Sequence, residues 1–468
     1  MKTTHKKWTR HTSRYLGLAI SLLAVWSSQG LAARACEIPE AVRAAAQKRS
    51  DYALNPGLAL ICVERGQPAS IATFGRLSLQ ADAPAITAST RFEIGSLTKV
   101  LTALQAALLA ERDQLDAAAS LGETWPAAWP ALNPALKPLP LQSLITHSSG
   151  LPRLPDNFQP ADPSNPYADY GLEHLQAFLS RAQPQARDYA YSNLGYGLLG
   201  ALLAEKGQAS GFKALLQRDL LQPLNMRHST FENTAPLATG HFEGVPVKNW
   251  DFSDAAAAAG GLRASATDIA AFLSAQLSPP PGELGAAIRR SQQALQSATD
   301  LPALKQAGQS GMAWGWHLQK AQSKTLHWHN GMTGGYLSHA IVDLEAGKAV
   351  AVLSSGTDAI QDLAVGLMMP DQPPRQPVDQ RLPEAVLATY TGRYALTPEV
   401  HFHISQAAGY LVVEITGQQA VRVFPTATAD RFAYRIVDAQ LAFVRNARGQ
   451  VTGLNLHQNG QIQPAQRL

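Results

Sequence analysis

The residues best suited to chemistry are a serine and a lysine three positions apart, in the segment Ser96-Leu-Thr-Lys99. Apolar residues recur at helical spacing through Arg112, which predicts a helix that starts at this pair and carries both side chains on one face. A serine is a weak nucleophile until a neighbouring base takes its proton, and a lysine whose pKa is lowered by burial can do so. Free backbone N–H groups at a helix N-terminus can also stabilise an oxyanion. The pattern alone is weak, because a capping serine followed by a solvated lysine has the same spacing.

Two later segments add groups that suit the same chemistry. Tyr191-Ser-Asn193 precedes another predicted helix, and a phenol can relay protons while an amide can hold a substrate carbonyl or the lysine. His329-Asn-Gly331 is predicted to lie on a strand before a glycine-rich turn, where the strand edge can pair with substrate backbone and the N–H of Met332 can complete an oxyanion hole. The alternatives are a loop tyrosine, a helix-capping asparagine and a half-buried strand histidine.

The order of the three motifs resembles that of the penicillin-recognising serine hydrolases. Within that superfamily the chain is most similar to the class C β-lactamase branch, which also contains D,D-carboxypeptidases, D-amino-acid amidases and peptidases, and carboxylesterases. The likeness spans about residues 40–360. The segments that carry it are Phe92–Val100, Leu144–Pro152, Gly260–Ile269 and His329–Tyr336.

The resemblance implies a role for each motif residue. Ser96 is the acylated nucleophile, and Lys99 and Tyr191 form a general-base pair in which the residue that takes the proton is left open. Asn193 orients the substrate, and the N–H groups of Ser96 and Met332 form the oxyanion hole. The implied reaction is a two-step acyl transfer that needs no metal or organic cofactor.

The third motif departs from the β-lactamase pattern. A lysine there supplies a permanent cation for a substrate carboxylate, whereas His329 has a reference pKa of about 6.5 and is largely neutral at pH 7. His-x-Gly is familiar among the family's esterases and D-amino-acid-specific peptidases. The function predicted is therefore a serine hydrolase that cleaves a peptide-like amide, such as a D-amino-acid peptide, or an ester. The alternatives are a class C-type β-lactamase and a non-catalytic peptidoglycan- or peptide-binding protein on the same fold.

The fold predicted is α/β (α+β) and β-lactamase-like, with an antiparallel sheet flanked by helices and an additional all-α region. Helical periodicity supports it, and Thr267 is expected to cap the last of the predicted helices. The predicted helices are residues 37–50, 96–112, 194–206 and 266–277. The predicted strands are residues 58–63, 70–75, 325–328, 336–343 and 349–354.

A change of composition marks a second domain. Five prolines between positions 370 and 383 indicate a semi-rigid linker, after which the hydrophobic period becomes two. Six short strands at about ten-residue spacing, between residues 401 and 456, predict a small all-β barrel or sandwich. This module resembles the lipocalin-like domain appended to such hydrolases, with Tyr390–Tyr394 as its opening. The domain scheme is a signal peptide (1–35), a hydrolase domain (36–367), a linker (368–383) and a β domain (384–468).

The leader accounts for the basic character of the chain. The net charge is +4, but the first 35 residues hold six cations and no Asp or Glu, so the remainder has 33 Lys and Arg against 35 Asp and Glu, a net charge of −2. A twelve-residue apolar run, Tyr15–Trp26, precedes the cleavage candidate Ala33-Arg-Ala35. The prediction is export to the periplasm or beyond, with no transmembrane span in the mature chain and no nucleic-acid partner; an uncleaved N-terminal anchor is the alternative.

The two cysteines, Cys36 and Cys62, are compatible with one disulfide in an oxidising compartment. They are equally compatible with a free Cys62 buried in an apolar strand and an unpaired Cys36. The partner expected is a small-molecule or peptide substrate, with peptidoglycan fragments among the candidates, and the oligomeric state is left open.

Other histidines are not assigned to chemistry. The spacings His327-x-His329 and His401-x-His403 put two imidazoles on one face of a strand, but no third ligand follows at a suitable distance, so no metal site is predicted. His147 is predicted to structure its loop rather than to act as a base.

Overall fold

An eight-stranded antiparallel sheet lies at the centre of the part of the chain before the proline-rich segment, in a computed structural model that describes residues 35–468. The predicted signal peptide, apart from Ala35, lies outside the described residues. The strands of this part are, in chain order, β1 (Gly57–Glu64), β2 (Ser70–Gly75), β3 (Arg91–Glu93), β4 (His241–Phe242), β5 (Val245–Pro246), β6 (Arg263–Ser265), β7 (Gln296–Ser297), β8 (Gly311–Met312), β9 (His317–Ala321), β10 (Lys324–Met332), β11 (Leu337–Asp343) and β12 (Lys348–Ser354).

The order of strands in the sheet is β2-β1-β12-β11-β10-β9-β8-β7, while β3 pairs with β6 and β4 with β5. The helices are α1 (Glu40–Asp51), α2 (Thr98–Glu111), α3 (Leu121–Thr124), α4 (Gln142–Ile145), α5 (Leu172–Leu179), α6 (Asn193–Lys206), α7 (Phe212–Leu216), α8 (Asp254–Gly260), α9 (Ala266–Leu277), α10 (Glu283–Ser291), α11 (Pro302–Gln306), α12 (Gln361–Met368) and α13 (Glu384–Leu387). Gly95–Leu97 and Pro134–Leu136 form 3₁₀ turns, and Gln217–Leu221 a π-helical turn.

Both faces of the sheet are covered, which explains the continuous apolar run of β1. Leu58, Leu60 and Cys62 pack with α1 and α12 on one face, whereas Ala59, Ile61 and Val63 join the large core on the other. Side chains alternate along a strand, so a strand buried on both faces has no polar positions. This arrangement confirms the α/β class and the antiparallel sheet with flanking helices.

Two helices that are apolar all round run through the large core. Every residue of α2 from Thr98 to Leu109 is buried, and so is every residue of α6 from Leu194 to Ala204. A helix without a polar face must lie inside the protein. Polar side chains at the N-termini of these two helices are therefore drawn into the interior, and this is how the fold positions the predicted motifs.

One predicted detail is wrong. Thr267 does not cap α9, because the side chain of Ser265 accepts the backbone N–H of Asp268 at 3.2 Å and so fills the N-cap position. The hydroxyl of Thr267 instead donates to the carbonyl of Ala88. The two residues compete for the same role, and β6 ends at Ser265, where the chain turns into the helix.

The segment after the linker closes into an eight-stranded barrel, so the barrel alternative is the one observed. Its strands are β13 (Gly392–Ala395), β14 (His401–Ala407), β15 (Tyr410–Ile415), β16 (Val421–Pro425), β17 (Arg431–Ala433), β18 (Ala439–Arg445), β19 (Val451–Gln458) and β20 (Gln461–Arg467). The interior is filled by aromatic and aliphatic side chains such as Tyr394, Phe402 and Leu411, as eight-stranded barrels permit. The domain boundaries given above stay predictions.

The barrel is fixed to the rest of the chain by a buried arginine. Arg422, 2% exposed, donates to the carbonyl of Ala53 and to the carboxylate of Asp358, both at 2.6 Å. Its guanidinium also lies 4.8 Å and 5.0 Å from the ring centres of Tyr410 and Phe424. A cation with a carboxylate, a carbonyl and two aromatic faces around it is well compensated.

The remaining predictions about the chain concern its cysteines and its relation to membranes. Cys36 and Cys62 form a disulfide, with Cα atoms 5.6 Å apart. It ties the segment before α1 to β1, the second strand from one edge of the sheet. Within residues 35–468 no helix combines the length and the apolar character that a membrane crossing requires.

Candidate active site

Ser96 lies in the 3₁₀ turn that leads into α2, where the turn touches the end of β10. A Cβ atom on Gly331 would lie 1.9 Å from the carbonyl oxygen of Ile94 and 2.9 Å from the amide nitrogen of Ser96. A Cβ on Gly95, whose φ is +51°, would lie 2.7 Å from the amide nitrogen of Met332. Glycine is therefore required on both segments for this close approach. The consequence is that the amides of Ser96 and Met332 flank one junction.

Lys99 is fully buried and has three oxygen partners. Its Nζ lies 3.1 Å from Ser96 Oγ and 2.9 Å from Asn193 Oδ1, and it contacts the carbonyl of Ala259. Burial lowers the pKa of this amine well below its ordinary value, and the nearby Arg153 lowers it further. A neutral amine has two N–H groups for Asn193 and Ala259 and one lone pair for the Ser96 hydroxyl, which is the geometry that a general base needs.

Tyr191 lies beside the lysine and faces the pocket. Lys99 Nζ is 4.8 Å from the centre of the Tyr191 ring. Burial raises the pKa of the phenol above its ordinary value, and a hydrogen bond with the Ser96 side chain opposes that rise. The phenol therefore keeps its proton at neutral pH and is suited to relay it.

His147 supports the tyrosine from behind. Its ring stacks on Tyr191 with centres 4.3 Å apart, its Nδ1 accepts the backbone N–H of Ser192 at 3.0 Å, and its carbonyl accepts the N–H of Ala190. Burial, followed by the effect of Lys99, lowers the pKa of His147. These contacts agree with a loop-structuring role, because both the ring and the backbone of His147 hold the Tyr191 segment.

Asn193 is the first residue of α6, with Ser192 as the cap. Its Oδ1 accepts from Lys99 and its Nδ2 donates to the hydroxyl of Tyr167 at 2.9 Å. The N-termini of α2 and α6 thus meet at the serine–lysine pair. Both helix dipoles place partial positive charge there, which favours a developing oxyanion and a neutral amine.

His329 is placed differently from the other predicted residues. It is 1% exposed and lies behind the pocket wall, with its ring 5.1 Å from that of His317 and its Nδ1 against the carbonyl of Asn330. Burial, followed by the effects of His317 and Lys99, lowers its pKa well below the ordinary value, so it is neutral at pH 7. His317 lines the pocket instead, and burial lowers its pKa to about 4.

These groups open into a pocket of 520 Å³. Ser96, Tyr191, Asn193, Gly331 and Met332 line it. Lys99 contacts Ser96 and Asn193 from beneath the pocket surface, whereas His329 lies behind the wall and does not line the pocket. The lining residues that sequence reasoning missed are Arg153, Tyr167, Tyr189, Trp250, Ala307, Gln309, His317, Trp328 and Asn330. Two of them had a usable signal, because Asn330 lies inside the motif His329-Asn-Gly331 and Arg153 directly follows the family-like segment Leu144–Pro152. The barrel contributes no lining residue to this pocket.

No group of three or more His, Cys, Asp or Glu among residues 35–468 is placed to hold a metal ion. His327 Nε2 is 2.9 Å from the carbonyl of Gln292, and His403 lies on the barrel surface beside Glu414.

Comparison with known proteins identifies the family of the chain and the fold that it shares. The family model of the β-lactamases matches residues 42–367. A solved class C β-lactamase from Rhodobacter sphaeroides is 19% identical, with a TM-score of 0.59 over 71% of this chain and 98% of its own. A solved β-lactamase/D-alanine carboxypeptidase from Pseudomonas syringae is 17% identical, with a TM-score of 0.60 over 70% of this chain and 97% of its own. At such identities the structures show the fold, and the family model, which covers most of the chain, shows that this protein belongs to the β-lactamase family.

Proposed function

We propose that this protein is a serine hydrolase that cleaves a peptide-like amide, such as a D-amino-acid peptide, or an ester through an acyl-enzyme on Ser96. The observation that carries the proposal is the 3.1 Å contact between Ser96 Oγ and the buried amine of Lys99, which has no carboxylate partner among the described residues. A serine paired with an amine of lowered pKa has little use outside nucleophilic catalysis.

In the first step the Ser96 oxygen bonds to the substrate carbonyl carbon while its proton passes to the base. Lys99 is the better candidate for that base, because its pKa is lowered while that of Tyr191 is raised. Tyr191 then acts as the relay that hands the proton to the leaving nitrogen or oxygen. In the second step water attacks the carbonyl carbon of the acyl-enzyme and gives its proton to the base. The bond to the Ser96 oxygen then breaks, the oxygen regains a proton, and the acid is released.

The negative charge that develops on the carbonyl oxygen needs donors that are already in place. The backbone N–H groups of Ser96 and Met332 are our candidates, because their two segments are held together at Gly95 and Gly331. The hydroxyl of Ser338 donates to the carbonyl of Ile94 at 2.7 Å and braces the same junction. Asn193 keeps the amine of Lys99 aligned from the other side.

The choice between peptide or ester and β-lactam rests on the third motif. His329 is neutral and buried, so it offers no cation to the carboxylate of a penicillin. A class C-type β-lactamase is the second candidate, favoured by solved class C β-lactamases of similar fold. Export is part of the proposal and is supported by the basic, apolar leader and by the Cys36–Cys62 disulfide.

Intact-protein mass spectrometry tests the proposal. The full chain is exposed to a panel of activated esters, D-amino-acid peptides and β-lactams, beside the Ser96→Ala variant and the control Ser180→Ala, which removes an exposed hydroxyl on the same part of the chain. We expect a covalent adduct on wild type and control, and none on Ser96→Ala. Adduct formation by Ser96→Ala would exclude this nucleophile. Faster turnover of β-lactams than of every ester and peptide would favour the second candidate.

A further inference from the structure

The active-site pocket carries charge of one sign. Among the described residues that line it, Arg153 is the one with a charged side chain, since His317 is neutral above a pKa of about 4. The rest of the lining is aromatic, amide, hydroxyl or small, apart from the uncharged thioether of Met332. A pocket of this kind has a positive potential that no residue of its own wall cancels.

Arg153 has no carboxylate partner among residues 35–468, and the residue is exposed. Asp156, the carboxylate nearest in sequence, and Asp188, which precedes the pocket residue Tyr189, have other partners. Asp156 forms a two-pronged ion pair with Arg181, and Asp188 accepts the backbone N–H of Ala303 at the start of α11. Arg153 therefore keeps its hydrogen-bonding capacity for a group that comes from outside.

The position of Arg153 is nevertheless fixed. Its carbonyl accepts the backbone N–H groups of Asn193 and Leu194 at 3.1 Å and 3.2 Å, which joins its loop to the start of α6. Its guanidinium carbon lies 5.3 Å from the centre of the Tyr191 ring. The cation is thus held beside the phenol, and aromatic stacking orients its planar donor fork.

We propose that Arg153 binds an anionic group, most simply a carboxylate, on the leaving group of the substrate. The inference rests on the proposed function. Tyr191 lines the pocket whereas Lys99 does not, so the proton for the leaving atom arrives through Tyr191. The leaving group must therefore lie next to the Tyr191 phenol. The guanidinium of Arg153, which is beside that ring, is then on the same side of the pocket as the leaving group. Ser96 bonds to the carbonyl carbon, the carbon–nitrogen or carbon–oxygen bond breaks, and the departing amine or alcohol carries both the relayed proton and the carboxylate held by Arg153. The cation that binds the substrate carboxylate is thus a loop residue, Arg153, rather than the residue at the third motif, His329.

The test compares three chromogenic esters on the full chain. They are p-nitrophenyl acetate, 3-carboxy-4-nitrophenyl acetate with a carboxylate on the leaving group, and mono-p-nitrophenyl succinate with a carboxylate on the acyl group. Each protein is judged by its ratio of kcat/KM for a carboxylated ester over the neutral one, because this ratio cancels any effect of Arg153 on the pKa of Lys99. Arg153→Gln is compared with Arg187→Gln, which removes an exposed cation that does not line the pocket.

For the leaving-group carboxylate we expect Arg153→Gln to lower the ratio about 10- to 100-fold, the usual effect of losing a charge-assisted hydrogen bond. Arg187→Gln should leave it unchanged. An unchanged ratio in Arg153→Gln, or a loss confined to the succinate ester, would overturn the inference.

A second measurement needs no turnover. The product 5-hydroxy-2-nitrobenzoate should bind Ser96→Ala about 10- to 100-fold more tightly than the Ser96→Ala, Arg153→Gln double variant. Equal binding would overturn the inference. Failure of the proposed function looks different, because then no ester leaves an adduct on Ser96.

Discussion

Two buried basic side chains, Lys99 in the active site and Arg422 where the barrel meets the rest of the chain, show how the same fold uses basic groups in opposite ways. Arg422 and Lys99 are 2% and 0% exposed, but Arg422 faces the carboxylate of Asp358 at 2.6 Å whereas Lys99 faces only neutral oxygens. A buried cation with a counter-ion remains charged and joins two parts of the chain. A buried amine without one loses its proton and becomes a base. Whether a carboxylate lies next to the buried basic group therefore decides whether that group forms a structural ion pair or serves as a base.

The largest expected effect is the loss of activity when Lys99 is replaced. Lys99→Met should lower kcat/KM toward activated esters about 1,000-fold, because the general base is lost. Lys99→Arg should not rescue it, since a guanidinium does not give up its proton. Steady-state kinetics measure both, with the exposed Lys320→Met as the control that should match wild type. A kcat/KM of Lys99→Arg within tenfold of wild type would show that Lys99 is not the general base.

Arg422 should show the reverse pattern, a loss of stability without a loss of activity. Arg422→Met removes the buried cation beside Asp358 and the buried Glu243 and leaves Asp358 only the more exposed Arg435, so we expect a loss of roughly 3 kcal/mol in the free energy of unfolding. The more exposed Arg435 pairs with the same carboxylate, and Arg435→Met should cost about 1 kcal/mol or less.

Urea denaturation of the full chain measures both losses, and kcat/KM should stay unchanged in each variant under folding conditions. Equal stability of the two variants, or reduced kcat/KM in Arg422→Met, would show that the barrel contact is not a structural ion pair of the kind described.

The pH dependence of stability sharpens the contrast. Because the pKa of Lys99 is lowered in the folded chain from 10.5, the unfolded chain holds one more proton between the lowered value and 10.5. Stability therefore rises with pH in that window, by up to about 1.4 kcal/mol per pH unit for one proton. Lys99→Met lacks this contribution, so its stability relative to wild type should fall as pH rises from 7 to 10. A difference that does not change with pH would show that Lys99 stays protonated.

The smallest expected effect concerns His147, which positions Tyr191. His147→Ala should lower kcat about tenfold with little change in KM, because the phenol loses its stacking partner while the pocket keeps its lining. His147→Asn retains an acceptor for the N–H of Ser192 and should recover part of the loss. The surface variant His403→Ala serves as the reference, and identical kinetics for His147→Ala and His403→Ala would reject the positioning role.

Sequence patterns predicted the long elements well. The helices at Glu40–Asp51, Asn193–Lys206 and Ala266–Leu277 and the central strands lie within a few residues of their predicted positions. The barrel strands Gly392–Ala395 and Gln461–Arg467 were missed, because the first is four residues long and the second is polar and contains Pro464. Neither has the apolar alternation on which prediction of a strand depends.

The sequence by itself determined the motif residues, their order and the family resemblance, because spacing along one helix places Ser96 and Lys99 on the same face whatever surrounds them. Only the tertiary structure decided what charges those residues carry. It buried Lys99 away from any carboxylate among the described residues, moved His329 behind the pocket wall and brought Arg153 to Tyr191. Burial and the distance to opposite charge set a pKa, and both depend on residues far apart in the chain, which local patterns do not encode.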